Sequence, residues 1–222
     1  MDLHGLTQLL RDALPVMLRG AGYTLMLAVA SVIFGAVLGT LVAITRMAKV
    51  PALSQFATLY VSCMRGTPLL VQLFVIYFGL PSIGIQFEPI TAGILGLSLN
   101  VGAYLSETIR GAINGVEHGQ WNAARSLGLT QTQTLRYIVG PQALRLAVPS
   151  LSNSLISLIK DTSLVSVIAV SELMLATKEV IATTFQPFPL YLAAAGIYWA
   201  MSAFFETLQK KLEVRLNRSY LR

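Results

Sequence analysis

From Gly20 to Thr45 the chain carries no charged side chain at all. A helix needs roughly 20 predominantly apolar residues to cross a bilayer, and backbone groups inside the hydrocarbon must bond to one another, so such a run admits little except a spanning helix. Comparable runs follow at about 53–79, broken only by Arg65, at 89–106 with no charge, at 146–170 broken only by Lys160 and Asp161, and at 180–205. With 55% of 222 residues hydrophobic, 12% charged and a mean hydropathy of +0.66, the chain is too apolar for an ordinary water-soluble domain and has no room for a separate one. The expectation is an all-α membrane protein. Five transmembrane helices make up a domain over residues 20–222, with residues 1–19 as a lead-in and residues 107–145 as a polar loop between the third and fourth helices.

Five crossings put the two ends of the chain on opposite faces. Basic residues are retained preferentially on the cytoplasmic side. An N-terminus outside gathers Arg46, Lys49, Arg110, Arg125, Arg136, Arg145, Lys210, Lys211, Arg215, Arg218 and Arg222 on one face and leaves only Arg11, Arg19 and Lys178 on the other. The expected orientation is therefore N-terminus periplasmic and C-terminus cytoplasmic in a bacterial inner membrane. The net charge of +6 then reflects topology and contact with lipid headgroups, and it is no argument for nucleic-acid binding. The first twenty residues mix Asp2, Arg11, Asp12 and Arg19, which is not the pattern of a cleavable leader. Leu6, Leu10, Ala13, Leu14 and Met17 recur at helical spacing there, so the lead-in reads either as an amphipathic interfacial helix or as a frayed end. The lone cysteine, Cys63, has no partner for an internal disulfide and reads as a small packing residue.

The polar loop is the least expected part of so apolar a chain. Trp121, Ala124 and Leu127 recur at helical spacing over 117–127, and Gly128 supplies a stop. Thr130 and Gln133 then fit a capping box opening a second short helix, with Leu135, Ile138 and Val139 as its apolar stripe and Pro141 as an interruption. A solvated loop with incidental helix is one reading. Trp121, Ala123 and Ala124 favour close contact with another protein.

Charged groups inside spans cost at least about 2.5 kcal/mol at the bilayer centre and so face a bundle interior or a watery cavity. Arg65, Lys160 and Asp161 are the candidates, with Asn100 as a polar neighbour. In Arg65-Gly66-Thr67-Pro68, the glycine and proline weaken the helix and free backbone groups to line a cavity. Adjacent Lys160 and Asp161 point about 100° apart on a helix, so each needs a different partner. A carboxylate such as Asp161 suits the ammonium of a zwitterion, and Arg65 or Lys160 its carboxylate. An Arg65–Asp161 ion pair without ligand is the competing reading, and Asn100 reads equally as an interhelical hydrogen bonder. Glu107 and Arg110 have the spacing of a local pair, with a gate contact as the lesser reading.

The stretch GQWNAARSLGLTQTQTLRYIVGPQALRLAVPSLSN resembles the cytoplasmic EAA loop of ABC-importer permeases. The phrases MRGTPLLVQLFVIYFGLP, LSLNVGAYLSETIRGAI and LIKDTSLVSVI are similar to the polar amino-acid branch of that family, with cystine-type permeases nearest. The resemblance runs from about Gly20 to the C-terminus. It implies a permease subunit translocating a polar amino acid such as cystine, with Asn100 and Asp161 near the cargo. It further implies a coupling helix docking on an ATPase subunit through Gly119, Trp121, Asn122, Ala123, Ala124, Leu127 and Gly128. The implied partners are the ATPases, which hold ATP and Mg, a periplasmic amino-acid-binding protein, and a second permease subunit, identical or different. Two positions depart from the pattern: Asn122 stands where the motif has glutamate, and Gly140 where a leucine usually precedes the proline. Docking here is then expected to rest on fit more than on charge.

Two other functions compete. His4 and His118 fall outside the spans, and neither HExxH nor GxxxxGK[ST] occurs, so neither a metal-dependent protease nor a self-contained ATPase is supported and no catalytic or metal-ligating residue is assigned. An ion-coupled secondary transporter or channel subunit also uses intramembrane charge, but five spans do not divide into two inverted halves and such a protein has no use for a docking loop.

Overall fold

The computed structural model describes residues 3–48 and 50–217. Lys49, Arg218 and Arg222, part of the charge bias above, lie outside them. Helix α1 (Leu3–Ala48) is a single rod of ~69 Å at 1.5 Å per residue. The boundary expected at residues 19 and 20 is absent, because the helix passes straight through it with Pro15 inside. The apolar stripe of the lead-in packs on protein: Ala13, Met17 and Ala21 are buried against Leu173, Leu190 and Ala194 from later helices. These contacts tie residues 13–21 to those later helices.

After Val50 the chain turns into α2 (Pro51–Gly66) and then, past Thr67 and Pro68, into α3 (Leu69–Phe74), which continues through a π turn and a 3-10 turn to Ile83. The two halves meet at 109°, so the second apolar run is a broken span or a re-entrant loop. Helix α4 (Pro89–Asn114) extends well past the expected end at residue 106 and lies along α1 in the most extensive helix contact of the fold. Small residues allow that approach: a Cβ on Gly39 would sit 2.7 Å from the Gly102 carbonyl oxygen.

Helix α5 (His118–Ser126) and the single turn α6 (Gln131–Thr134) come next. A π turn, Leu135–Val139, joins α6 to α7 (Gly140–Asp161) without a break, so Pro141 does not interrupt the helix as expected. The Gly140 amide reaches back to the Leu135 carbonyl across that wide turn, and the widened register immediately before Pro141 accommodates a residue with no N–H to donate. A Cβ at Gly140 would lie 2.5 Å from the Leu135 oxygen, which accounts for glycine at this position. Beyond Asp161 a 3-10 turn, Thr162–Ile168, leads to α8 (Leu173–Thr184). Phe185 in the left-handed region closes α8, and α9 (Pro187–Asn217) begins later than the expected residue 180.

The described residues are helical with no strand. By length and apolarity α1, α4 and α9 are able to cross a membrane, and the bent α2–α3 pair makes a fourth crossing if taken as one span. Helix α7 falls outside this set, since it carries Arg145, Asn153, Lys160, Asp161 and several serines. The core lies where α1, α3, α4 and the turn after α7 converge on Leu27, Leu73, Leu97, Leu105 and Val165.

Candidate functional site

The break between α2 and α3 is stabilised by polar side chains. A helix end leaves carbonyls without partners, and in an apolar surrounding each needs a donor. Thr67 Oγ1 donates to the Cys63 carbonyl at 2.8 Å. Gln72, only 7% exposed, donates from Nε2 to the carbonyls of Met64 (2.8 Å) and Thr67 (3.1 Å) and to Thr67 Oγ1 (2.9 Å). Asn100 on α4 donates to Gln72 Oε1 at 3.0 Å and to the Met64 carbonyl at 3.2 Å. Asn100 is thus an interhelical hydrogen bonder and also a cavity wall, and the two readings of it merge.

The cavity beside this break has a volume of about 460 Å³, a size suited to a small organic molecule. Thr67 and Pro68 at the break, Asn100 and Tyr104 on α4, and Asn153, Ser154, Ser157 and Asp161 on α7 line it. Carboxylate, amides and hydroxyls thereby converge from three helices. Of the four residues expected at such a site, Asn100 and Asp161 line the cavity, whereas Arg65 and Lys160 do not. Lys160 is exposed, the next residue along α7 from Asp161 and on a different face. The Arg65–Asp161 ion pair is not formed among the described residues. Arg65 turns instead toward the ring of Tyr104, 5.4 Å from its centroid, and toward Glu107, 4.0 Å from Oε2.

Glu107 does pair with Arg110, at 2.6 Å, as its spacing predicted. It also pairs with Arg46 of α1, so one carboxylate collects guanidinium groups from three helices. Sequence reading missed this junction, since Arg46 and Glu107 are 61 positions apart. Tyr104 and the α7 polar stripe were also missed, although Asn153, Ser157 and Asp161 recur every fourth residue in an otherwise apolar stretch, which was a readable signal. A further omission is Glu172. It is fully buried, caps α8 by accepting from the amides of Met174 (2.9 Å) and Leu175 (3.0 Å), and accepts from the Tyr198 hydroxyl at 2.7 Å and from Thr24 at 3.4 Å.

At the other end of α4 lies the helix pair. The Leu129 amide bonds to the Ala124 carbonyl and the Gly128 amide to the Arg125 carbonyl, a Schellman closure of α5 with Gly128 at φ +75°. Thr130 and Gln133 then form the expected capping box, at 3.3 and 2.9 Å. Trp121 packs inward on Val116, Val139 and Ala143, and Ala124 is 2% exposed, so these two brace the pair on its own scaffold. The faces left open are those of Gly119, Asn122, Ala123, Gly128 and Leu127, the last 79% exposed.

An apolar helical unit with a polar cavity between its helices and a braced helix pair at one end defines a membrane transport subunit. Residues 35–218 match the family described as binding-protein-dependent transport system inner membrane component. The chain is 44% identical over 207 residues to a probable amino-acid ABC transporter permease protein, YckA, of Bacillus subtilis (strain 168), covering 93% of this chain and 92% of that one. It is 43% identical over 205 residues to the L-cystine transport system permease protein TcyB of the same organism, covering 92% and 88%. A solved structure, an amino acid ABC transporter with histidines, superposes with a TM-score of 0.91 at 34% identity over 97% of this chain and 99% of that one. The chain belongs to the family of binding-protein-dependent transport system inner membrane components. It is a multi-pass permease subunit of an ABC importer, a transport component and not an enzyme, and its family works with separate ATPase subunits and a substrate-binding protein.

Proposed function

We propose that the cargo is a polar amino acid, cystine or a similar one, and that it passes through the cavity lined by Asn100 and Asp161. One observation carries this reading: two polar residues from separate apolar stretches border the same cavity of about 460 Å³. Asp161 meets the cargo ammonium and Asn100, whose two N–H groups are held by Gln72 and the Met64 carbonyl, presents its Oδ1 acceptor to the same group, while Gln72 and Thr67 hold the wall they stand on. The names of YckA and TcyB support an amino acid as cargo.

Five crossings fit this reading, with α7 as the fifth. Its polar face looks into the cavity, which is why its hydropathy is low for a span. The N-terminus is then periplasmic and the C-terminus cytoplasmic, in line with the basic bias. The α5–α6 turn faces the cytoplasm as the coupling helix and docks on an ATPase that holds ATP and Mg. The exposed Gly119, Asn122, Ala123, Leu127 and Gly128 make the contact, and Trp121 and Ala124 support it from beneath. A second permease subunit completes the pathway, and closure of the ATPases switches its access from one face to the other.

Uptake of labelled amino acids into proteoliposomes holding the whole complex tests the cargo site. Asp161→Asn is expected to raise KM for the preferred amino acid at least about tenfold, on the scale of a lost charge-assisted hydrogen bond, with the ATPase still bound. An unchanged KM, or a loss of assembled complex with KM unaltered, would overturn the assignment.

A further inference from the structure

We infer that Tyr104 forms the floor of the cavity at the end nearer α5, and that Arg65 and Glu107 are positioning residues that hold it there. This rests on the cavity being the cargo site. Tyr104 lies one turn beyond Asn100 toward the end of α4, and Asn153 marks the same end on α7. In this arrangement cargo leaving toward the α5–α6 turn moves along this ring. The ring is 45% exposed in this chain, and the Arg65 guanidinium lies 5.4 Å from its centroid, within cation–π range. Arg65 itself stands two residues before the cavity-lining Thr67, at the end of α2.

Behind Arg65, the Glu107 carboxylate already pairs with two other guanidinium groups. Glu107 Oε2 accepts from Arg110 at 2.6 Å, and Oε1 accepts from Arg46 and, at 3.4 Å, from Arg110 Nε. Arg65 stays at 4.0 Å, the loosest of the three. Its departure leaves Glu107 still neutralised, and its return fixes Tyr104 across the path. The junction also spans what must move: Arg46 ends α1, Arg65 ends α2, and Arg110 lies in the last turns of α4, which leads through Gly115 and Val116 into α5. A push on α5 is transmitted along α4 to the carboxylate that retains Arg65.

Thiol accessibility in the assembled complex tests this without cargo. In a background carrying Cys63→Ser and Ser157→Cys, the new thiol lies in the cavity wall. A membrane-impermeant maleimide is supplied from the side bearing the α5–α6 turn, in the absence of nucleotide, and assembly is checked by co-purification of the ATPase. Arg65→Gln and Tyr104→Leu are each expected to raise the labelling rate about fivefold, and Arg65→Lys and Tyr104→Phe, which keep cation and ring, to stay within about twofold. Uptake per ATP hydrolysed is expected to fall in the first two variants only. Unchanged labelling in Arg65→Gln and Tyr104→Leu overturns the proposal, and so does a rise confined to Arg65→Gln, since Tyr104 is then no floor. Should Tyr104→Leu fail to assemble, Tyr104→Ser takes its place under the same criteria. If Asp161→Asn leaves KM unchanged while labelling responds, the cargo assignment fails and the floor stands. The converse result removes the floor and keeps the cargo site.

Discussion

Replacing Gln72 with leucine removes the polar clip at the α2–α3 break while keeping the volume nearly constant. The amide has two N–H groups, so its three donated contacts to Met64 and Thr67 amount to two full hydrogen bonds, and its oxygen accepts a third from Asn100. Leucine loses all three. The Met64 carbonyl keeps Asn100, at 3.2 Å, but the Thr67 carbonyl is left without a donor beside the cavity. At about 1 kcal/mol net per bond the bent geometry loses about 3 kcal/mol, a ceiling somewhat above a hundredfold in the population of the shaped cavity. Apparent cargo affinity falls with that population. The expected result is a rise in KM of at least about tenfold, with the maximal rate per assembled complex little changed, measured as initial uptake in proteoliposomes. Gln72→Glu, which keeps an acceptor for Asn100 but sets a buried carboxylate against the Met64 and Thr67 carbonyls, is expected to raise KM at least as far. A KM within about twofold of the parent in Gln72→Leu would refute the view that this side chain shapes the cavity wall.

Two further outcomes follow from single features. Gly128 has open space around it, so Gly128→Val acts through backbone strain at φ +75°, on the order of 1–2 kcal/mol, and is expected to reduce uptake per ATP hydrolysed; Gly128→Asn, which tolerates the left-handed region, should remain near the parent, and equal behaviour of the two would disprove the strain account. Glu172→Ala orphans two amides and the Tyr198 hydroxyl in a fully buried site, a loss of about 3 kcal/mol, and is expected to lower the melting temperature of the purified complex; an unaltered melting curve would show that the carboxylate is not the tie between α1, α8 and α9.

Much of the architecture was legible because the signals were local. Unbroken apolar runs marked α1, α4 and α9, since hydrocarbon accepts only helices that satisfy their own backbones. Gly66 and Pro68 marked the break in the second run, and Thr130 with Gln133 marked the start of α6. Boundaries were less secure. The lead-in is ordinary helix because Ala13 and Met17 find α8 and α9 to pack on, and those partners lie more than 150 positions away. Pro141 was misread as a breaker because its effect depends on the wide turn in front of it.

The remainder depended on which residues meet across long separations. Sequence alone named Asn100, Asp161, Arg65 and Lys160 as polar groups that need company within an apolar chain, because the cost of desolvating them is a property of each side chain. Their positions along the chain did not fix that company. Only the packed helices brought Asn100 and Asp161 to one cavity, left Lys160 on another face, and set Arg65 between Tyr104 and a carboxylate already shared by Arg46 and Arg110. Hydropathy is summed along the chain, whereas pairing is decided by directions and distances between helices, and a crossing angle or a one-turn shift of α4 against α1 would reassign every one of these partners.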